Sequence, residues 1–135
     1  MRTQSRTYRA RNVCLAIGRR GVPRSLGIPG EQLPKVAYSL LDAQSYQDRR
    51  VLVVGGGDSA VETALGLAEQ PGNEVTLSYR KDAFFRIKAK NQRKIDQAID
   101  DGRVEVLFGS EVLRIADDEV ELAQTDDDGG LSSFV

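Results

Sequence analysis

The chain has 135 residues, no histidine and a single cysteine, Cys14. Without histidine the commonest general base and metal ligand is gone, which disfavours zinc sites and Ser-His-Asp catalysis. One thiol cannot close an intramolecular disulfide. Cys14 also lies in the apolar run Asn12-Val13-Cys14-Leu15-Ala16-Ile17-Gly18, where a small buried side chain is its expected role. There is no basic surplus: a formal charge of −1 argues against a nucleic-acid partner. No apolar run approaches the roughly 20 residues of a membrane span, and the arginine-rich start lacks the apolar core of a secretory signal. A cytoplasmic protein without a membrane partner is therefore expected. The chain also lacks internal repeats and low-complexity tracts, and its length suffices for one core and little more.

What is present is concentrated between Val51 and Arg86. Val51-Leu52-Val53-Val54 predicts a buried parallel strand, and it runs straight into Gly55-Gly56-Gly57-Asp58-Ser59-Ala60. A helical pattern follows at once, so the layout is that of a dinucleotide-binding βαβ unit. Gly55 permits the tight strand-to-helix turn, Gly57 lets a backbone approach a pyrophosphate, and Ala60 keeps helix and strand close. Gly55, Gly56, Gly57, Asp58, Ser59 and Ala60 are thus the expected pyrophosphate cradle, with the first-turn amides and the helix dipole facing the phosphates.

The flanks agree with that reading. Ala60, Val61, Ala64, Leu65 and Ala68 form a three- and four-residue stripe that predicts a helix from about Asp58 to Gln70, ended by Pro71-Gly72-Asn73. Glu74 to Tyr79 alternates like a strand. An NAD site places a carboxylate at the end of this strand, about 20 residues beyond the first glycine. Here the strand ends in Tyr79-Arg80-Lys81, with Asp82 three residues late. A guanidinium and an ammonium there suit a 2′-phosphate, which favours NADPH over NADH. For Lys81 a solvated loop position stands beside that role.

Val53-Val-Gly-Gly-Gly-Asp-Ser-Ala-Val-Glu62, followed by Leu77-Ser-Tyr-Arg-Lys-Asp-Ala-Phe84-Phe-Arg86, resembles the pyridine-nucleotide domain of the two-dinucleotide flavoproteins, in particular the thioredoxin-reductase-like group that includes ferredoxin–NADP reductases of the same plan. The resemblance implies a second domain that binds FAD and an NADPH domain inserted into it. Thioredoxin reductases end the second strand in His-Arg-Arg, with a further arginine four residues later. Tyr79-Arg80-Lys81 stands in that place, and the later arginine falls one residue beyond the family spacing, at Arg86. Arg80 is then the firmest 2′-phosphate ligand, with Lys81 and Arg86 beside it and Tyr79 in the histidine's position. Glu62 matches a glutamate that lies towards the nicotinamide in the family; a helix-start carboxylate satisfying the dipole is its other reading. The redox-active Cys-x-x-Cys of thioredoxin reductases would fall near Ser39-Leu40-Leu41-Asp42, and without cysteines there the resemblance implies no dithiol exchange through this domain.

The rest of the chain follows the same plan. Ala16-Ile17-Gly18-Arg-Arg-Gly-Val-Pro23 resembles the segment with which the FAD domain hands over to the NADPH domain, so residues 1–30 are expected to be an FAD-domain strand and linker. Gly21, Pro23, Gly27, Pro29, Gly30 and Pro34 mark a connecting stretch rather than a core element, with a short helix through Leu40 to Tyr46. Residues 31–124 would be the nucleotide domain. Its second helix lies within Phe84 to Asp101, with Ile87, Ile95, Ala98 and Ile99 as its apolar stripe and Lys88, Lys90, Arg93 and Lys94 as a solvated face. Val104 to Phe108 predicts a third strand. Val112 to Ile115 and Val120 to Leu122 predict a hairpin about Ala116-Asp117-Asp118. Residues 125–135 would form an outer exposed turn, where Asp126-Asp127-Asp128 reads as solvated rather than metal-binding, and the start of a return strand.

The fold expected is α/β: a Rossmann-like βαβ nucleotide-binding domain with a parallel sheet plus a small antiparallel β-meander. Its expected role is to hold NADPH for hydride transfer to FAD, without catalytic residues or a metal of its own. The partner implied is an FAD-binding domain of the same or another chain; the electron acceptor is not legible, and self-association as a homodimer is left open. Two other readings stand beside it: a nucleotide-sensing module without catalysis, and one subunit of a split flavoenzyme, which alone would purify yellow with its partner.

Overall fold

The computed structural model describes residues 24–124 and the backbone of residues 131–134. Cys14, the Ala16 to Pro23 stretch and the Asp126 to Gly130 turn lie outside the described residues. The parallel unit comprises β1 (Arg50–Val54), α1 (Asp58–Ala68), β2 (Glu74–Tyr79), α2 (Ala89–Asp100) and β3 (Val104–Phe108). The strands lie side by side in the order β1-β2-β3, all parallel, with Val53 opposite Leu77 and Leu77 opposite Val106. Parallel neighbours need a crossover, and each helix supplies one; crossovers of one hand put both helices on the same face, where they pack on each other.

Between helices and sheet lies the core. Val53, Val75, Leu77 and Val104 meet Val61, Ala64 and Leu67 of α1 and Ile95 and Ala98 of α2. Fully burying a Leu77 or an Ile95 contributes about 1.5–3 kcal/mol each.

Several expectations shift once the sheet is assembled. β2 is central, so Val75, Thr76, Leu77 and Ser78 are all buried and both its faces are covered, beyond what alternation implies. β1 pairs only with β2 among the described residues, and of its four apolar residues only Val53 is buried while Val54 is 45% exposed. α1 closes at Ala68 rather than Gln70. Glu69 caps it by donating to the Leu65 carbonyl, and Asn73 Nδ2 takes the Leu67 carbonyl at 3.0 Å. In α2 the buried stripe is Asn91, Ile95 and Ala98; Ile99 turns outward and Ile87 precedes the helix. The short helix between Leu40 and Tyr46 contracts to a 3-10 turn at Ala43–Ser45, capped by Asp42.

After Gly109 the chain enters β4 (Ser110–Ile115), β5 (Val120–Gln124) and β6 (Leu131–Phe134), an antiparallel sheet in that order. Ser78 Oγ and Ser110 Oγ lie 2.7 Å apart in the interior, and Ser110 also donates to the Leu107 carbonyl. That polar link joins the two sheets where β3 gives way to β4. No helix among the described residues is long and apolar enough to cross a membrane.

The glycine- and proline-rich connector is a built corner. Glu31 is buried, and its carboxylate accepts from Ser25 Oγ at 2.7 Å, Leu26 N at 2.6 Å, Gly27 N at 2.8 Å and Tyr38 Oη at 2.6 Å. These donors, Tyr38 foremost, hold its pKa at about 2. Gly30 lies against the Ile115 backbone, too close for any side chain. Ile115 N donates to the Pro29 carbonyl at 2.9 Å, which fastens the corner to β4.

Candidate functional site

The carboxyl ends of the three parallel strands and the two helix starts form one edge of the molecule. Gly55 extends the ladder past β1, its N–H donating to the Ser78 carbonyl at 2.9 Å, and then turns at φ 146°. A Cβ on Gly55 would stand 3.0 Å from the Ala60 Cβ. The first and third small residues of the motif therefore press on each other, as close strand–helix packing requires. Gly56 is small for a different reason: a Cβ there would run into the Tyr79 ring. At Gly57 a Cβ would meet nothing within 4 Å among the described residues, so this face of the turn is open there.

Gly57 is the N-cap of α1 and offers no side chain to the helix. The first intrahelical bond runs from Val61 N to the Gly57 carbonyl at 3.1 Å. The N–H groups of Asp58, Ser59 and Ala60 precede that bond and have no partner among the described residues. Three amide donors at the positive end of a helix dipole, beside an open glycine, fit an anion such as a pyrophosphate.

Asp58 contributes its amide there, but its carboxylate faces the other way. Asp58 Oδ1 accepts from Lys88 N at 2.9 Å and from Asn91 Nδ2 at 2.6 Å. The Lys88 N–H first, and Asn91 next, keep the carboxyl below its usual range. The same Asn91 amide donates to Glu62 Oε1 at 2.9 Å. Glu62 lies one turn beyond Asp58 on the same helix face, so the two carboxylates share one buried amide. Neither a dipole role nor a nicotinamide contact is needed to account for where Glu62 points.

Arg80, Lys81 and Arg86 are exposed on the loop between β2 and α2, and none enters an ion pair among the described residues. Lys81 Nζ stands 5.1 Å above the Phe85 ring. The loop is held at its base by aromatic rings: Tyr79 stacks on Phe84 at 5.9 Å, and Phe84 meets Phe108 edge-on at 5.1 Å. Lys81 O accepts from Gly109 N at 3.0 Å. Cationic side chains thus stand on a fastened backbone one strand over from the free amides. Sequence pattern alone does not bring Asn91, Phe84 and Phe108 into this framework; a polar residue on the buried stripe of α2 is the one signal for Asn91.

A concavity of about 530 Å³ lies at the opposite end of the sheet, lined by Arg50, Asn73, Glu74, Arg103 and Glu105 among others. Its charges are mixed and it faces the strand starts, whereas ligands of open α/β sheets bind beyond the carboxyl ends.

Residues 1–132 match the family described as pyridine nucleotide-disulphide oxidoreductase. The ferredoxin–NADP reductase of Thermus thermophilus is 36% identical over 121 residues, covering 87% of this chain and 36% of that protein. Bacilliredoxin reductase Bdr of Bacillus subtilis is 33% identical over 119 residues, with coverage of 87% and 36%. The solved structure of bacillithiol disulfide reductase Bdr from Bacillus cereus aligns with a TM-score of 0.77 at 30% identity, covering 83% of this chain and 34% of that one. The chain spans about a third of the length of these relatives.

Proposed function

Because the chain belongs to the pyridine nucleotide-disulphide oxidoreductase family, we propose that it is the NADPH-binding portion of a flavoprotein oxidoreductase that passes hydride from NADPH to FAD and on to an acceptor. One observation carries the reading: among the described residues, the amides of Asp58, Ser59 and Ala60 are unpartnered beside the open face of Gly57, and Arg80, Lys81 and Arg86 are without ion-pair partners on the loop that follows the next strand. The amides hold the pyrophosphate. Arg80 reads the 2′-phosphate as a planar fork, with Lys81 and Arg86 adding charge around it. Tyr79 walls the cradle on the Gly56 side. Hydride chemistry is supplied by the nicotinamide and the flavin when bound, and this chain's residues supply grip, orientation and shielding from water. The flavin belongs to an FAD-binding domain of the same or another polypeptide, in a protein of the cytoplasm. The acceptor is met outside this domain, as the varied names of the relatives accord with.

Calorimetric titration with NADPH and NADH tests the proposal. NADPH should bind the tighter, and the purified chain should not oxidise it steadily without a flavoprotein partner. Equal affinity for the two nucleotides would remove the role of the cationic strand end. Absence of binding by either would remove the proposal itself.

A further inference from the structure

We infer that Asn91 is a positioning residue for nucleotide selectivity, a buried clamp that locks the cation-bearing loop to the helix start that grips the pyrophosphate. The inference rests on the NADPH reading and adds to it a device that touches no nucleotide. Asn91 is 6% exposed, at the head of a buried helix face that continues with Ile95 and Ala98. A buried amide that donates to two carboxylates on another helix is costly to break, because each lost bond leaves a charged acceptor underserved.

The clamp's consequence follows from what it spans. The loop from Arg80 to Lys88 begins at Tyr79, whose ring covers Gly56, and ends where Lys88 N donates to Asp58. Asn91, in the first turn of α2, joins that same Asp58 to Glu62. Asp58 is the first residue of α1, and its own N–H is one of the free donors. The loop's far end is therefore tied to the residue whose backbone would hold the pyrophosphate. Together with the Gly109–Lys81 bond and the aromatic stack at the loop's base, that tie sets the separation between the diphosphate amides and the 2′-phosphate cations. It also turns the Asp58 and Glu62 carboxylates towards α2, so their negative charge is engaged by donors instead of facing an incoming phosphate.

The test compares 2′,5′-ADP with 5′-AMP, which share an adenosine and a 5′-phosphate and differ by the 2′-phosphate, titrated into the 135-residue chain and its variants. Asn91→Leu keeps the branched shape and heavy-atom count and removes both donors. It should lower the preference for 2′,5′-ADP by about tenfold, the scale of a weakened charge-assisted bond, while 5′-AMP affinity changes much less. Lys88→Pro is a gentler cut at the same joint. Lys88 sits at φ −66°, ψ 146°, a proline conformation, so the fold should survive loss of the N–H that Asp58 accepts. Lys88→Ala removes the same charge and keeps that N–H, so Lys88→Pro should lose more selectivity than Lys88→Ala. Equal losses for both ligands in Asn91→Leu, or identical selectivity in the two Lys88 variants, would overturn the clamp. Should the unaltered chain itself fail to prefer 2′,5′-ADP, the NADPH reading falls and the clamp falls with it. If Asn91→Leu does not fold, the Lys88 pair decides alone.

Discussion

Two turns in this molecule present backbone amides in a cluster, and they differ in what answers them. At the connector corner, Leu26 N and Gly27 N donate to Glu31, a carboxylate four or five residues away. At the head of α1, the amides of Asp58, Ser59 and Ala60 meet no such group among the described residues, although a carboxylate stands on Asp58 itself. That carboxylate is drawn off by Lys88 N and Asn91. The first turn is complete by itself and serves structure, fixing the connector to β4. The second presents amides that the carboxylates of Asp58 and Glu62 do not meet, because Lys88 N and Asn91 engage those acids instead. Clustered amides want negative charge in either case; whether the chain supplies it separates a structural corner from a binding site.

The sharpest way to break this contrast is to close the open turn. Gly57→Val adds a side chain where nothing among the described residues stands within 4 Å, so melting temperature should fall only by the modest cost of a β-branched residue at a helix N-cap. Nucleotide affinity should fall on the order of a hundredfold, because the branched side chain occupies the phosphate's approach. Gly56→Ala should behave oppositely. Its methyl meets the Tyr79 ring, and the overpacking should cost about 1–3 kcal/mol in chemical denaturation before any ligand is added. If the two substitutions gave the same ratio of lost stability to lost binding, the assignment of Gly57 to ligand and Gly56 to packing would be wrong.

That division was only half legible in the sequence. The strand, the glycines and the α1 stripe are local patterns, and β2, α1 and the meander hairpin stand close to where periodicity puts them. Gly56 read as one more cradle residue because its partner, Tyr79, lies in another strand. Asn91 read as nothing in particular because both carboxylates it serves belong to α1, about thirty positions earlier. Glu31 was hidden inside a glycine- and proline-rich stretch whose composition signals a connector and says nothing of four converging donors. Val54 and Ile99 are exposed for the same reason: burial depends on which neighbours the sheet and the helix pair provide, a property that a run of apolar letters does not carry.

Arg80→Ala sharpens the comparison from the ligand's side. Loss of a single charge-assisted contact to the 2′-phosphate should weaken NADPH binding by about tenfold or somewhat more and leave NADH binding nearly unchanged. The gap between the two nucleotides should also narrow with added salt in the unaltered chain, since the cations are exposed. Equal weakening of both nucleotides would mean that Arg80 supports the turn rather than reading the ribose.

The smallest effect belongs to the closed turn, and it is visible through pH. Glu31 ionises at about 2 in the folded chain against an ordinary value of 4.5, so the folded state favours its charged form. Its stabilisation is complete above the unfolded value and drains away as pH falls from 4.5 towards 2. Glu31→Gln should lower the melting temperature modestly near neutrality and flatten the decline across that acid window. Tyr38 is the largest cause of the depressed value, so Tyr38→Phe should narrow the window from below by moving the folded pKa back towards 4.5. Acid melting curves of unaltered chain and Glu31→Gln that run parallel through the window would show that Leu26 and Gly27 do not depend on this carboxylate, and the internal anion would lose its claim as the counterpart of the open turn.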